Sequence, residues 1–148
     1  DSHGMGGNPA PILGHIRSRF NAAVQSGELG DPNQAILVAG DPGDYLAYAQ
    51  LCFATAPVKE VQAVRPCELS RFFVDRPHWG TGLSTRLMQQ AFSHASQRGC
   101  DAIWTLAWQQ APRAFRFLRR EGFDVAGSMT SMIGDETREE WVMVRRLD

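Results

Sequence analysis

Hydrophobic residues recur at two spacings along this chain, and each spacing predicts a different kind of secondary structure. Spacings of three and four residues predict helices, whereas short apolar runs bounded by glycine, proline or charged residues predict strands. Helices are predicted over residues 12–26, 83–98 and 112–121. Strands are predicted over residues 35–39, 45–55, 68–75, 102–108, 125–133 and 140–147. The order of these elements predicts an α/β protein.

The predicted helix over residues 83–98 has one continuous apolar face and is stopped by Gly99. That face consists of Leu83, Leu87, Met88, Ala91, Phe92 and Ala95. The run 102–108 is almost entirely apolar, which is typical of a strand covered on both faces. Strand, helix and strand in this order imply a right-handed crossover between parallel neighbours, and therefore a mixed sheet. Ligands of such sheets bind at the carboxyl ends of the parallel strands.

A glycine-containing turn, Trp79-Gly80-Thr81-Gly82-Leu83-Ser84, lies between the strand over residues 68–75 and this helix. Glycine lets the backbone come close to an anion, and the first-turn N–H groups of a helix have no intrahelical partner. The positive end of the helix dipole points the same way. The turn is therefore predicted to bind phosphate, with a tight turn that merely needs two glycines as the alternative.

Several ordered segments resemble the GNAT acyl-CoA N-acetyltransferases. The family's phosphate turn reads (Gln/Arg)-x-x-Gly-x-(Gly/Ala), and residues 77–82 occupy this frame. Residues 111–123 are similar to the family's Asn-x-x-Ala-x-x-Phe-Tyr-x-x-x-Gly-Phe segment, and residues 134–147 to the closing hairpin of its bacterial polyamine-acetyltransferase-like branch. The resemblance covers most of residues 35–147. It implies the α/β GNAT acyl-CoA N-acyltransferase fold, in which a mixed central sheet is flanked by helices.

The resemblance also implies an activity. Such enzymes move an acetyl group from acetyl-CoA, their co-substrate, directly to an amine without a covalent enzyme intermediate. By this resemblance Glu68 is the expected catalytic residue, drawing a proton from the amine through water. The expected cofactor-binding residues are Phe72, Phe73, Val74, His78, Trp79, Gly80, Thr81, Gly82, Leu83 and Ser84. The primary amine of a small molecule is the expected acceptor.

Three positions depart from the family pattern. Pro77 stands where the family has Gln or Arg, and Ala111 replaces the asparagine before the second helix. Leu118 replaces the tyrosine that usually protonates the leaving thiolate, and leucine cannot donate a proton. A non-catalytic domain that binds or senses acyl-CoA is therefore the alternative function.

Structural alternatives stand beside several of these roles. Glu68 could instead form an ion pair with Arg65 or Arg71 at the start of its strand. His78 could be an exposed loop histidine with no ligand role. Trp108 could wall the acceptor pocket or stack on an amine, with core packing as its alternative. A cationic acceptor would favour nearby acidic residues, of which the candidates are Glu60, Glu68, Asp135, Glu136 and Glu139.

The composition narrows the classes of protein further. A length of 148 residues predicts a single domain, which by the resemblance is a GNAT domain over residues 12–148, and the preceding segment 1–11 is expected to be flexible and in part a tag. A net charge of −1 argues against nucleic-acid and membrane-surface partners. Cys52, Cys67 and Cys100 show no metal-ligand spacing, so we expect reduced thiols, no metal site and a cytoplasmic location. A homodimer is expected through the final hairpin or through a free sheet edge near the amino terminus.

Overall fold

The computed structural model describes residues 23–25, 32–41 and 44–147. The strands are β1 (Ala23–Gln25), β2 (Gln34–Asp41), β3 (Asp44–Cys52), β4 (Pro66–Val74), β5 (Ala102–Trp108), β6 (Asp124–Ile133) and β7 (Glu136–Arg146). The helices are α1 (Leu83–Gln97) and α2 (Pro112–Arg120), and a short 3₁₀ helix spans Arg76–His78. The predicted segment 1–11 and most of the predicted helix over residues 12–26 lie outside the described residues.

The described residues form two compact units, of which the first comprises those up to Cys52 together with Ser70–His94. Its strands follow the order β1, β2, β3 and then the carboxyl half of β4. β2 and β3 form an antiparallel hairpin with a register shift between Ala39 and Gly40. The gap at residues 40–44 between the two predicted strands is shorter than expected, because Gly40, Asp41 and Asp44 continue the strands.

The helix predicted over residues 12–26 is wrong at its end. Ala23–Gln25 is a strand, and its residues pair antiparallel with β2, Ala23 opposite Val38 and Gln25 opposite Ile36. Three residues are held in this conformation by backbone bonds to a neighbouring strand, and the spacing of apolar residues carries no information about such bonds. The sheet edge expected to be free is therefore covered by β1 over these positions.

The core of the first unit follows the predicted pattern. Most residues of β2 are buried, including Ala35, Leu37, Val38 and Ala39, and so are Leu46 and Leu51 of β3. The predicted apolar face of α1 is confirmed, because Leu83, Leu87, Met88, Ala91 and Phe92 are all buried. Burial of side chains of this size stabilises the fold by about 1.5–3 kcal/mol each.

The second unit comprises Phe53–Leu69 and the residues from Ala95 onward. Its strand order is β4, β5, β7, β6. The predicted parallel crossover is confirmed, because Pro66 of β4 pairs with Ala102 of β5 in parallel and Glu68 pairs with Trp104. β7 then runs antiparallel to β5 along its whole length and antiparallel to β6. The predicted mixed sheet is thereby confirmed.

The segment over residues 53–65 packs on one face of these strands. Val61 lies in a buried cluster with Trp104 of β5 and Val142 of β7, and Val58 and Met129 pack against it. At the other end of β5 the backbone N–H of Gln109 donates to the carbonyl of Glu139 over 3.0 Å. This bond carries the pairing of β5 with β7 past the end of the strand, where functional side chains are expected.

Candidate functional site

The glycine turn begins directly after β4 and ends at the first turn of α1. The 3₁₀ helix Arg76–His78 leads into it, with the N–H of His78 donating to the carbonyl of Asp75 over 2.9 Å. Gly80 and Gly82 both have positive φ, at 80° and 90°. Side chains with a β-carbon rarely adopt this conformation, so glycine is required at both places. The N–H of Arg86 donates to the carbonyl of Gly82 over 3.1 Å, which makes Gly82 the residue that caps α1.

Side chains of the turn hold it in this shape. The indole N–H of Trp79 donates to the carbonyl of Val74 over 2.8 Å and ties the turn to the end of β4. The hydroxyl of Thr81 donates to the carbonyl of His78 over 2.6 Å. The guanidinium of Arg76 lies 5.1 Å from the ring centroid of Trp79, so it is directed towards that ring. The conformation of the turn is therefore held by contacts within the protein itself.

The backbone N–H groups of the turn divide into two sets. Those of Trp79, Thr81 and Leu83 donate within the turn, to the carbonyl of Arg76, the carbonyl of His78 and the hydroxyl of Thr81. Those of Gly80, Gly82 and Ser84 donate to no group within the part of the chain that is described. A β-carbon built on Gly82 would meet nothing within 4 Å. Free N–H groups beside open space at a helix N-terminus fit a phosphate group.

One edge of β4 is open along its carboxyl half. Pairing with β5 ends at Glu68, and the next β4 carbonyl, that of Leu69, accepts the side-chain hydroxyl of Thr105 over 2.9 Å. Within the described residues no strand pairs with that edge from Ser70 to Val74. An open edge can bond an extended ligand as it would bond another strand.

The burial pattern of β4 shifts in the same place. Cys67 and Leu69 are buried, the next two residues are exposed, and Val74 is buried. If burial alternated along the whole strand, Val74 would be on the exposed side. The set of residues that faces the core is therefore shifted by one position near the end of β4. Phe73 is half exposed, and its ring lies 5.7 Å from that of Tyr48 on β3.

Glu68 lies on β4 ahead of this shift and is half buried. Desolvation raises the pKa of its carboxyl group above the usual value, and a hydrogen bond from the side chain of Thr55 partly lowers it. Neither Arg65 nor Arg71 contributes to this shift, so the alternative ion pair is not what sets its pKa. A carboxylate with a raised pKa is a stronger base, as proton abstraction requires. Sequence reasoning missed Thr55, which lies in an irregular segment 13 residues away without a motif.

Leu118 is the buried residue of α2. The side chain that replaces the family's tyrosine therefore packs in the core, where it supplies no proton. Ala111 precedes the helix and makes no side-chain cap bond to it. Pro77 is exposed within the 3₁₀ helix. The three departures from the family pattern are thus occupied by side chains without hydrogen-bonding groups.

A cavity of about 660 Å³ lies at the carboxyl end of β5. It is lined by residues 108–110 and by residues 135–139 of the β6–β7 hairpin. Trp108 and the predicted acidic candidates Asp135, Glu136 and Glu139 are brought together here. Arg138 also lines the cavity, with its guanidinium 4.2 Å from the ring centroid of Trp108. No sequence pattern indicates that contact, because the two residues are 30 positions apart.

The other two acidic candidates, Glu60 and Glu68, do not line this cavity. The side chain of Glu60 approaches Gly127 of β6, where a β-carbon on the glycine would lie 2.6 Å from Cγ of Glu60.

Within the described residues, no group of three or more His, Cys, Asp or Glu side chains could hold a metal ion. The three cysteines form no disulfide, and Cys67 is buried. None of the described helices is both long enough and apolar enough to span a bilayer.

The mixed sheet, with the glycine turn between β4 and the helix α1 that it caps, defines the class of this protein as an α/β domain. A family model described as the acetyltransferase (GNAT) family matches residues 10–123. An uncharacterized N-acetyltransferase of Mycobacterium tuberculosis is 32% identical over 143 residues, which cover 94% of this chain and 86% of that protein. A protein of the same description from Mycobacterium bovis matches equally. The chain therefore belongs to the GNAT acetyltransferase family.

Solved structures agree on the fold. Nourseothricin acetyltransferase is similar with a TM-score of 0.66 and 22% identity, covering 82% of this chain and 69% of that one. A chimera of spermidine N-acetyltransferase SpeG from Vibrio cholerae and hSSAT has a TM-score of 0.63 at 15% identity, covering 80% and 71%. The PaiA N-acetyltransferase of Thermoplasma acidophilum, solved with coenzyme A, has a TM-score of 0.56 at 15% identity, covering 77% and 61%. The GNAT fold predicted from the sequence is confirmed.

Proposed function

We propose that this protein is an N-acetyltransferase that moves an acetyl group from acetyl-CoA directly to the primary amine of a small molecule. The observation that carries the proposal is the glycine turn. There, Gly80, Gly82 and Ser84 have free N–H groups beside open space at the start of α1. A net charge of −1 favours a small ligand over a polyanionic partner, and we place the reaction in the cytoplasm.

The residues of this chain fit the cofactor in two ways. The free N–H groups of the turn would hold the pyrophosphate, with Trp79 and Thr81 fixing the turn. The open edge of β4 would bond the pantetheine arm through the backbone of Phe72, Phe73 and Val74. When bound, acetyl-CoA supplies an acetyl group activated as a thioester.

Glu68 is the proposed base. An amine attacks only as its free base, so a proton must leave it, and the raised pKa of Glu68 suits a proton acceptor that works near neutral pH. Thr55 orients the carboxylate through its hydrogen bond. Leu118 is buried and supplies no proton to the leaving sulfur, so that role falls to water. A free thiol has a pKa of about 8.5, which allows water to serve.

The apolar side chain of Leu118 favours a second candidate function, a domain that binds or senses acyl-CoA without catalysis. Both candidates bind the cofactor, but only the acetyltransferase turns over an amine. Glu68→Gln separates them, because it removes the base and leaves the glycine turn intact. We expect this variant to bind acetyl-CoA as the unchanged protein does and to lose most amine-dependent release of free thiol. Thiol release that is absent from the unchanged protein across a panel of small amines would favour the binding domain.

Calorimetric titration with acetyl-CoA tests the site itself. Gly82→Glu directs a carboxylate into the open space of the turn, and we expect it to abolish binding. Gly134→Glu is a matched control, because Gly134 also has positive φ, at 63°, and also has nothing within 4 Å of a built β-carbon. The control is expected to bind normally. Equal affinity of the two variants would contradict the assignment of the turn.

A further inference from the structure

Two of the three cysteines, Cys67 and Cys100, lie side by side although 33 positions separate them in the sequence. Their thiol groups are hydrogen-bonded to each other, and neither is in a disulfide. Cys67 is buried, whereas Cys100 is half buried and therefore reachable from solvent. In such a pair, oxidation of the accessible sulfur can be followed by a bond to the buried one.

The pairing of β4 with β5 fixes the backbone of Cys67. This residue pairs in parallel with Ile103. Beyond the paired residues, the N–H of Asp101 donates to the carbonyl of Arg65 over 3.1 Å, and the carboxylate of Asp101 accepts the N–H of Arg65 over 2.8 Å. The chain directly after Cys100 is therefore held alongside the chain just before Cys67.

The end of α1 fixes the backbone of Cys100. Gly99 follows the helix with a φ of 85°. The N–H of Gly99 donates to the carbonyl of Ser96, and the N–H of Cys100 donates to the carbonyl of Ala95, both over 3.0 Å. These two bonds form the Schellman motif that ends many helices. Because each backbone is fixed by its own bonds, the two sulfur atoms stay within reach of each other in the folded protein.

The surroundings of Cys100 set how readily it reacts. Burial raises the pKa of its thiol above the usual value, while the hydrogen bond to Cys67 and the charges of Arg98 and Arg65 act in the opposite direction. The thiolate is the form that attacks an oxidant, so oxidation is slow at neutral pH and becomes faster as the pH rises. We therefore expect both thiols to be reduced until an oxidant is present.

We propose that Cys67 and Cys100 are a modification site at which a peroxide forms a reversible disulfide between β4 and the end of α1. The thiolate of Cys100 attacks the peroxide, the O–O bond breaks, and the sulfur becomes a sulfenic acid as hydroxide leaves. The thiol of Cys67 then attacks this sulfur, an S–S bond replaces the S–O bond, and water leaves with the proton of Cys67. In sum, the two thiols lose two electrons and two protons, and the peroxide is reduced to two molecules of water.

The disulfide would close the loop of residues 67–100. A bond of this kind restricts the unfolded chain, and it adds little strain where the two thiols are already in contact. Oxidation is therefore expected to raise the melting temperature by about 10 °C. This inference does not depend on the proposed function, because the disulfide forms whatever reaction the glycine turn serves.

Peptide mapping of the folded protein after treatment with hydrogen peroxide at about pH 8.5 tests the proposal. Trypsin cleaves after Lys and Arg but not before Pro, so the three cysteines fall on separate peptides, 20–59, 60–71 and 99–113. We expect a single cross-link, between 60–71 and 99–113, that dithiothreitol reverses. Oxidation in urea is the reference, because the unfolded chain should link all three peptides to one another.

Cys52→Ser is the matched control, because Cys52 is half buried like Cys100. It should leave the cross-link and the rise in melting temperature intact, whereas Cys100→Ser and Cys67→Ala should each abolish both. Absence of the cross-link from the folded protein would overturn the proposal, as would a cross-link that includes Cys52 or the same mixture of pairs with and without urea. A cross-linked protein that melts at a lower temperature than the reduced one would also overturn it, because the two sulfur atoms would then be held apart by the fold.

Discussion

Replacing Thr55 by valine tests whether the hydrogen bond to Glu68 controls its ionisation. The bond favours the carboxylate, so its loss raises the pKa of Glu68 further. A hydrogen bond to a charged group contributes about 1.5–3 kcal/mol, and exposure of Thr55 to water reduces this to about 1 kcal/mol. Valine keeps the shape of the side chain, so packing changes little.

The sign of the effect depends on pH. The pKa of Glu68 is raised in the folded state, so its contribution to stability is complete below the unfolded-state pKa and is lost as pH rises through the folded-state pKa. Thr55→Val enlarges that loss. We therefore expect the variant to be about 1 kcal/mol less stable than the unchanged protein at pH 8, and nearly equal once Glu68 is protonated.

Urea denaturation at a series of pH values measures this difference. Thr130→Val is a matched control, because the hydroxyl of Thr130 donates to a carboxylate of Glu139 over 2.7 Å at an exposed position. The free energy of unfolding of Thr130→Val should stay within a few tenths of a kcal/mol of that of the unchanged protein at every pH. On the acid limb of the pH–rate profile, Thr55→Val should lower kcat/KM about fivefold, with no change on the alkaline side. A loss that is the same at every pH would refute the reasoning, because it would indicate a purely structural role for Thr55.

Two further substitutions test features that hold the fold around the site. Partial burial tends to raise the pKa of Asp101, but hydrogen bonds from the N–H groups of Val64 and Arg65 and the charge of Arg146 outweigh it and the pKa is lowered. The stabilisation by Asp101 is therefore present above its unfolded-state pKa and is lost as pH falls through its folded-state pKa. Asp101→Asn should lower the urea midpoint at pH 7 and lower it much less at pH 3. An equal decrease at the two pH values would contradict this explanation. Gly122 has a φ of 96°, so alanine there should cost about 1–2 kcal/mol in thermal or urea unfolding, and a cost near zero would contradict the strain argument.

The order of the elements and the glycine turn could be predicted from the sequence, because both depend on local patterns. Leu87 and Met88 repeat at helical spacing and are buried as predicted, and the two glycines adopt the positive φ that only glycine takes readily. Element ends were less accurate. β7 begins at Glu136, within the predicted turn, because pairing with Ile133 of β6 extends the hairpin.

Features that depend on contacts between distant residues could not be predicted. β1 is defined by its pairing with β2, and the helix predicted from apolar spacing was wrong over Ala23–Gln25. The hydrogen bond of Thr55 to Glu68 and the stacking of Arg138 on Trp108 join residues that share no motif. The candidate base and the tryptophan were predicted, whereas the residues that adjust their chemistry became visible only in the folded chain.

The hairpin wall of the β5 cavity can be exchanged separately from the glycine turn. Five consecutive residues, 135–139, provide this wall, and the side-chain contacts described above are those of Arg138 with Trp108 and of Glu139 with Thr130. The glycine turn lies more than 50 positions earlier in the chain. A short cassette exchange at 135–139 would therefore change this wall and leave the glycine turn untouched, so a library of hairpin replacements would show directly whether the wall selects the acceptor of the proposed reaction.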